Sequence, residues 1–232
     1  LPRARPGQVP VSPEVQDVVM RLFEKNGISH DRLALYTRPQ TQRPGYSFLA
    51  IRGDQPAAFV RVGIAADIES EAVALEMLES YRPKTFVYPK LIDVSYLDEQ
   101  GVDVKPPVLR GLHRPPKKPP LETIVWEIQE ALQGLERPGN APKHWVPMHG
   151  DLTPWNLRQS PRGLVLIDWE SVGWGPPGAD QDLYCLTSMA FSPDPRACLP
   201  DEEVKEFWSA RLGDAMHSRD ERLLTAIFDQ IK

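Results

Sequence analysis

HGDLTPWNLRQSPRGLVLIDWE, residues 149–170, contains an HxD step (His149, Asp151), an Asn five positions after that Asp (Asn156), and a second Asp (Asp168) at the end of a short apolar run, Leu164–Ile167. Carboxylate and amide oxygens of this kind hold a hard cation such as Mg²⁺ and orient a hydroxyl nucleophile beside a nucleotide phosphate. Phosphoryl transfer from ATP asks for little else: positioned metal ions and a group that accepts the attacking hydroxyl. A kinase catalytic loop supplies an Asp as that acceptor and an Asn five residues on as a metal ligand, and a later Asp after a strand holds Mg²⁺. His149 is expected to support the loop through hydrogen bonds, and Pro154 to stiffen it.

Asp, Asn and Pro are also turn formers, so an isolated HxD carries little weight. Here several features coincide. Trp145–Met148 and Leu164–Ile167 read as strands on either side, and Gly173-Trp-Gly-Pro-Pro-Gly178 follows as a rigid turn.

Upstream, Ser12-Pro13-Glu14 is a helix start: Ser caps, Pro suits the first turn and Glu favours the positive end. Val15, Val18, Val19, Leu22 and Phe23 follow at helical spacing, and Gly27 closes the helix. Residues 33–63 read as strands. Tyr46–Arg52 and Ala57–Gly63 form a hairpin about a turn at Gly53-Asp-Gln-Pro56. Arg61 lies on the second strand, where an Arg is ordinarily exposed or at an edge. Residues 66–81 form a helix with Ala72, Leu75 and Leu78 in one apolar line, Val73 and Met77 beside it, and Glu71 near its start.

Short strand-like pieces follow, Phe86–Tyr88 and Leu91–Leu97. The Pro/Lys/Arg-rich tract 105–120 then reads as an extended connection. Residues 121–135 form an amphipathic helix, and further helices are expected over about 179–191, 201–212 and 219–231. The acidic residues Asp180, Asp201, Glu202, Glu203 and Glu206 read as helix-start and solvated-face charges, the alternative being a set that favours a cationic acceptor.

Composition agrees with a soluble globular protein: 232 residues, 41% hydrophobic, 25% charged, net charge −5. The acidic balance argues against nucleic-acid binding. No apolar run reaches membrane-spanning length, and two cysteines make neither a disulfide framework nor a metal cluster. The expected setting is the reducing cytoplasm. The chain begins at Leu1 rather than Met and stops inside a helical pattern, so both ends read as cut. The oligomeric state is left open.

His149-Gly-Asp-Leu-Thr-Pro-Trp-Asn156, Ile167-Asp-Trp-Glu170, Gly173, Gly175, Pro177 and Asp180-Gln-Asp-Leu183 together resemble the aminoglycoside phosphotransferase and choline kinase family. The resemblance is specific over 144–184 and weaker over 33–93. It does not reach the Pro-rich tract or the ends. It implies an α+β, two-lobed protein-kinase-like fold, with a small β-sheet N-lobe carrying one helix and a mainly helical C-lobe. The expected division is a flexible arm (1–12), a nucleotide-binding lobe (13–93), a hinge and Pro-rich connection (94–120) and a catalytic lobe (121–232).

By the same resemblance Asp151 is the catalytic base, and Asn156 and Asp168 are Mg²⁺ ligands. Glu71 pairs with the basic residue that contacts the ATP phosphates, here Arg61, where many members have Lys. The phosphate-covering loop falls at residues 37–45, with one Gly and two Pro. The implied activity is ATP- and Mg²⁺-dependent transfer of the γ-phosphate to a hydroxyl of a small molecule: an aminoglycoside, an amino alcohol or a sugar-like compound. No nucleic-acid or membrane partner is expected. Arg61 and the unusual loop leave an alternative open, a catalytically weakened kinase-like module that binds a nucleotide or other ligand. A third reading is an interaction domain that uses the tract 105–120.

Overall fold

A computed structural model describes residues 11–37, 45–108, 113–188 and 200–215. In chain order its elements are α1 (Pro13–Lys25), β1 (Arg32–Thr37), β2 (Tyr46–Arg52), β3 (Gln55–Ile64), α2 (Ala65–Tyr81), β4 (Phe86–Val87), β5 (Asp93–Leu97), β6 (Gln100–Lys105), α3 (Leu121–Ala131), β7 (Val146–Met148), β8 (Leu157–Ser160), β9 (Gly163–Leu166), β10 (Gly173–Gly175), α4 (Ala179–Ser188) and α5 (Glu202–Ala215). They fall into two compact units. One comprises residues 1–69 and 91–107, the other 70–90 and 108–232, so the division passes within α2.

The first unit is built on an antiparallel sheet in the order β1-β2-β3-β6-β5. Alternation sorts its strands by face. Val60, Val62, Val102 and Val104 point into an apolar cluster with Phe48, Ala50 and the buried stripe of α1 (Val15, Val18, Val19, Leu22, Phe23). Burying these side chains stabilises the unit by about 2 kcal/mol each. The start of α1 follows its capping chemistry: the Ser12 side chain accepts a hydrogen bond from the Val15 N–H at 3.3 Å, and Pro13 opens the first turn. Gly27 takes the left-handed conformation, φ 62°, that ends the helix.

Three local readings shift. The β2–β3 turn is tighter than expected, because β3 already begins at Gln55. The strand piece expected over 91–97 is β5, and it is followed by a further strand not expected on sequence, β6, so that the two complete the sheet. Arg61 is not at the surface but only 5% exposed.

The second unit has a three-stranded sheet, β4-β9-β8, and a two-stranded one, β10-β7. β8 and β9 form a hairpin, and β4 joins β9 in parallel through Phe86 and Leu164. α3 buries Ile124, Val125 and Ile128, and Leu132 just past its end is buried as well. The Glu127 carboxylate is also buried there and accepts the Lys84 and Thr85 N–H groups at 2.9 and 3.0 Å. Met148, Ala179, Leu183, Val204 and Trp208 form a further cluster around β7, α4 and α5.

The turn expected at Gly173–Gly178 begins as a strand, β10, whose Gly175 lies opposite Val146. A Cβ on Gly175 would run into the Met148 sulfur, so only glycine allows this approach. The Pro-rich tract is not wholly a free connection either: Arg114 forms a two-way backbone bridge with Gln159 of β8. The helix expected at 219–231 and most of the loop at 37–45 lie outside the described residues. No described helix is long and apolar enough to cross a membrane.

Candidate active site

The sequence between β7 and β8 is too polar and too rich in turn formers to continue either strand, so it loops from His149 to Asn156. Gly150 has φ 78°, and a Cβ there would collide with the Ser171 carbonyl. The second residue of the HGD step is therefore a backbone requirement. At the other end of the loop, the Asn156 and Leu157 N–H groups both donate to the Thr153 carbonyl, at 3.0 and 2.8 Å, closing a tight turn.

Asn156 folds back on Asp151. Its amide Nδ2 donates to the Asp151 carboxylate Oδ2 at 2.8 Å and to the Asp151 carbonyl at 3.0 Å. The carboxylate is thereby fixed, and the amide oxygen Oδ1 is turned away from it as an acceptor for a cation.

Ile167 joins this loop to Asp168. The Ile167 N–H donates to the Asn156 carbonyl at 3.1 Å, and the Ile167 carbonyl lies 3.2 Å from His149 Nε2. The Asp151 N–H in turn donates to His149 Nδ1 at 3.2 Å. With Nδ1 accepting, the neutral ring carries its proton on Nε2 and donates it to Ile167. Burial pushes His149 down to about 4, against the opposing effects of the Ile167 carbonyl and the Glu71 carboxylate. His149 is thus a neutral, fully buried tie with both nitrogens engaged, resting against the Trp169 ring at 4.5 Å between centroids. It is not a proton shuttle.

Asp168 is left-handed, φ 68° and ψ 65°, a conformation sparsely populated by residues other than glycine. It stands between β9 and a single 3₁₀ turn, Trp169–Ser171. Strain of roughly 1–3 kcal/mol concentrated at such a position is a feature of functional sites.

Two further residues brace the loop. Asp180 was expected as a helix-start charge; it does open α4, but it is buried. Its two oxygens accept the His149 and Gly150 N–H groups at 2.7 and 3.0 Å. Burial raises its carboxyl to about 6, against those two donors and the Arg211 charge. The available sequence signal was Asp180 between Ala179 and Leu183, apolar positions of the same helix. Arg158 donates to the Pro154 carbonyl at 3.3 Å, and to His113 of the Pro-rich tract through Nε at 3.1 Å and Nη2 at 3.3 Å. Asp201, by contrast, is an exposed cap whose Oδ1 accepts the Val204 N–H at 2.9 Å.

Of the residues singled out on sequence, His149, Asp151, Asn156 and Asp168 are therefore drawn together through Ile167. Glu71 is buried in the same unit and acts electrostatically on His149. Arg61 belongs to the first unit.

The donor set suits Mg²⁺. Among the described residues no group of three or more His, Cys, Asp or Glu side chains is placed to hold a metal. One carboxylate and one amide oxygen match an ion that takes few protein ligands and completes its shell with phosphate and water oxygens.

The Phosphotransferase enzyme family model matches residues 89–221, more than half of the chain. Among solved structures, the aminoglycoside phosphotransferase APH(3'')-Id of Streptomyces rimosus is similar with a TM-score of 0.53 at 16% identity, over 94% of this chain and 98% of that one. The same enzyme in complex with ADP and streptomycin gives 0.50 at 15% identity, over 95% and 100%. The amicoumacin kinase hAmiN, in complex with AMP-PNP, Ca²⁺ and Ami, gives 0.46 at 14% identity, over 88% and 79%. At these identities the likeness to the Streptomyces rimosus enzyme concerns the fold alone. A comparison with curated proteins gives no match.

Proposed function

This chain belongs to the phosphotransferase enzyme family, and from that premise we propose that it transfers the γ-phosphate of ATP to a hydroxyl group of a small molecule, with Mg²⁺ as cofactor. The observation that carries the reading is the Asp151–Asn156 clasp, tied through Ile167 to the residue before Asp168. Asp151 receives the proton of the attacking hydroxyl. The hydroxyl oxygen forms its bond to the γ-phosphorus as the bond from that phosphorus to the β–γ bridging oxygen breaks, and ADP leaves. Asn156 Oδ1 and the Asp168 carboxylate would hold Mg²⁺, which when bound neutralises charge on the phosphate oxygens.

Asn156 keeps the Asp151 carboxylate from swinging away from its acceptor position, and His149 with Asp180 keeps the loop backbone in place. Arg61 and Glu71 serve the nucleotide, Arg61 through a phosphate contact. The expected acceptors are aminoglycosides, amino alcohols and sugar-like compounds. The expected boundaries, a nucleotide lobe to residue 93 and a catalytic lobe from 121, are kept as the functional division. A catalytically weakened module has one observation in its favour, a buried Arg61 where a Lys is usual in the family it resembles.

The two readings separate by thermal unfolding with MgATP and by ADP release across a panel of such acceptors. MgATP is expected to raise the melting temperature, and Asp168→Ala to abolish that rise. Asp151→Asn is expected to retain MgATP binding and lose turnover. An unchanged melting temperature with MgATP sinks the enzyme reading; binding without turnover on any acceptor favours the weakened module.

A further inference from the structure

The second unit carries a buried carboxylate that the proposed reaction leaves unused. Glu127 of α3 is 5% exposed. Its Oε1 accepts the Lys84 N–H at 2.9 Å and its Oε2 the Thr85 N–H at 3.0 Å. Those two donors stand where the chain has just left α2: Arg82 is left-handed, φ 60°, and Pro83 follows, which ends the helix. β4 begins at the next residue, Phe86. It is two residues long and lies at the edge of its sheet, so its own ladder fixes it weakly. Yet both flanks of Asp168 rest on it. On one side, Leu164 and Val165 of β9 pair with Phe86 and Val87. On the other, the fully buried Trp169 stacks its ring on that of Phe86, with centroids 6.0 Å apart and planes at 26°. The Trp169 Nε1–H donates to the Leu166 carbonyl at 3.2 Å and closes the turn around Asp168.

We propose that Glu127 is a positioning residue for Asp168: it seats β4, against which both flanks of Asp168 rest, and so holds that carboxylate where it would meet Mg²⁺. The inference rests on the reading of Asp168 as a Mg²⁺ ligand. Two convergent backbone donors call for two acceptor oxygens, and a carboxylate offers them without a donor of its own. An amide in its place offers one oxygen and sets an NH₂ group against the second N–H. Asp168 supplies the need for such support. A left-handed Asp keeps its conformation only where the surroundings over-determine it. β9 and Trp169 are the surroundings on either side of it, and β4 backs both.

The test uses the whole protein and the isosteric variant Glu127→Gln. The first readout is hydrogen exchange followed by mass spectrometry, with no ligand added. Exchange is expected to quicken together over 84–88 and 163–169, and to stay as in the wild type over 179–188. An increase confined to 84–88, or one spread evenly over the chain, overturns the proposal. The second readout is ATP binding by calorimetric titration at a series of Mg²⁺ concentrations. The Mg²⁺ concentration for half-maximal binding is expected to rise by about tenfold, the scale of one misplaced charged contact. A Glu127 that only stabilised the fold would lower the melting temperature and leave the Mg²⁺ dependence unchanged, and that result overturns the proposal as well. Should Glu127→Gln fail to fold, Glu127→Asp decides by the same two readouts: it keeps both oxygens but sets them back by one methylene. A wild-type protein that binds no ATP, or binds it without regard to Mg²⁺, refutes the proposed function instead. The exchange readout alone then decides whether Glu127 seats the flanks of Asp168.

Discussion

His149 shows how a single side chain ties the candidate site together. Its ring accepts from Asp151 and donates to Ile167, so one imidazole connects the proposed base to the strand that delivers Asp168. His149→Phe would keep much of the ring volume and the contact with Trp169, while leaving the part-buried Asp151 N–H and Ile167 carbonyl without this partner. The expected loss is about 2 kcal/mol or more of folding stability, read by chemical denaturation. A loss below roughly 0.5 kcal/mol would mean that other groups replace both bonds. Because His149 is held near 4, it contributes no inflection to a rate–pH profile between about pH 5 and 8.

The elements around the loop place it by backbone approach as much as by side-chain packing. β7 ends at the candidate site, and β10 lies alongside it because Gly175 has no side chain. Gly175→Ala would push a methyl group into the Met148 sulfur, with the Phe207 ring 3.1 Å away. Overpacking of this kind is expected to lower stability by about 1–3 kcal/mol in thermal denaturation. Gly139→Ala is the matched control, since nothing lies within 4 Å of a Cβ there. Equal effects at the two positions would refute the close-packing account of β10.

Across the whole molecule His149 of the loop and Asp180 of α4, both buried, oppose each other. Below pH 6.5 the unfolded chain protonates His149 while the folded chain resists until about 4, so its contribution to stability is lost as pH falls through that window. Asp180 runs the other way. Its carboxyl is raised from 3.8 to about 6, so between those values the folded chain holds a proton that the unfolded chain lacks, and stability rises as pH falls. Each effect is worth about 3 kcal/mol, and they largely cancel between about pH 4 and 6. Asp180→Asn removes one of them. Between pH 7 and 4.5 the melting temperature of that variant is expected to fall more steeply than that of the wild type; parallel curves in a calorimetric pH series would refute the coupling.

Short-range chemistry was written plainly in the chain. The capped start of α1, the alternation along β2 and β3, and the five-residue spacing from Asp151 to Asn156 all depend on neighbours within a turn or a strand, so residue order alone determined them. The burial of charge did not follow from order. Asp180 lies 31 residues from the N–H group of His149 that it accepts, and Arg61 meets Asp103 only through the β3–β6 register. Whether a carboxylate or guanidinium is solvated or enclosed depends on which distant segment covers it, and apolar neighbours such as Ala179 and Leu183 beside Asp180 mark only the inward face of a helix, not the desolvation that governs the charge. The sequence by itself therefore determined the pattern of the phosphotransferase loop, while only the tertiary structure decided which charges brace that loop and which share the sheet face with Arg61.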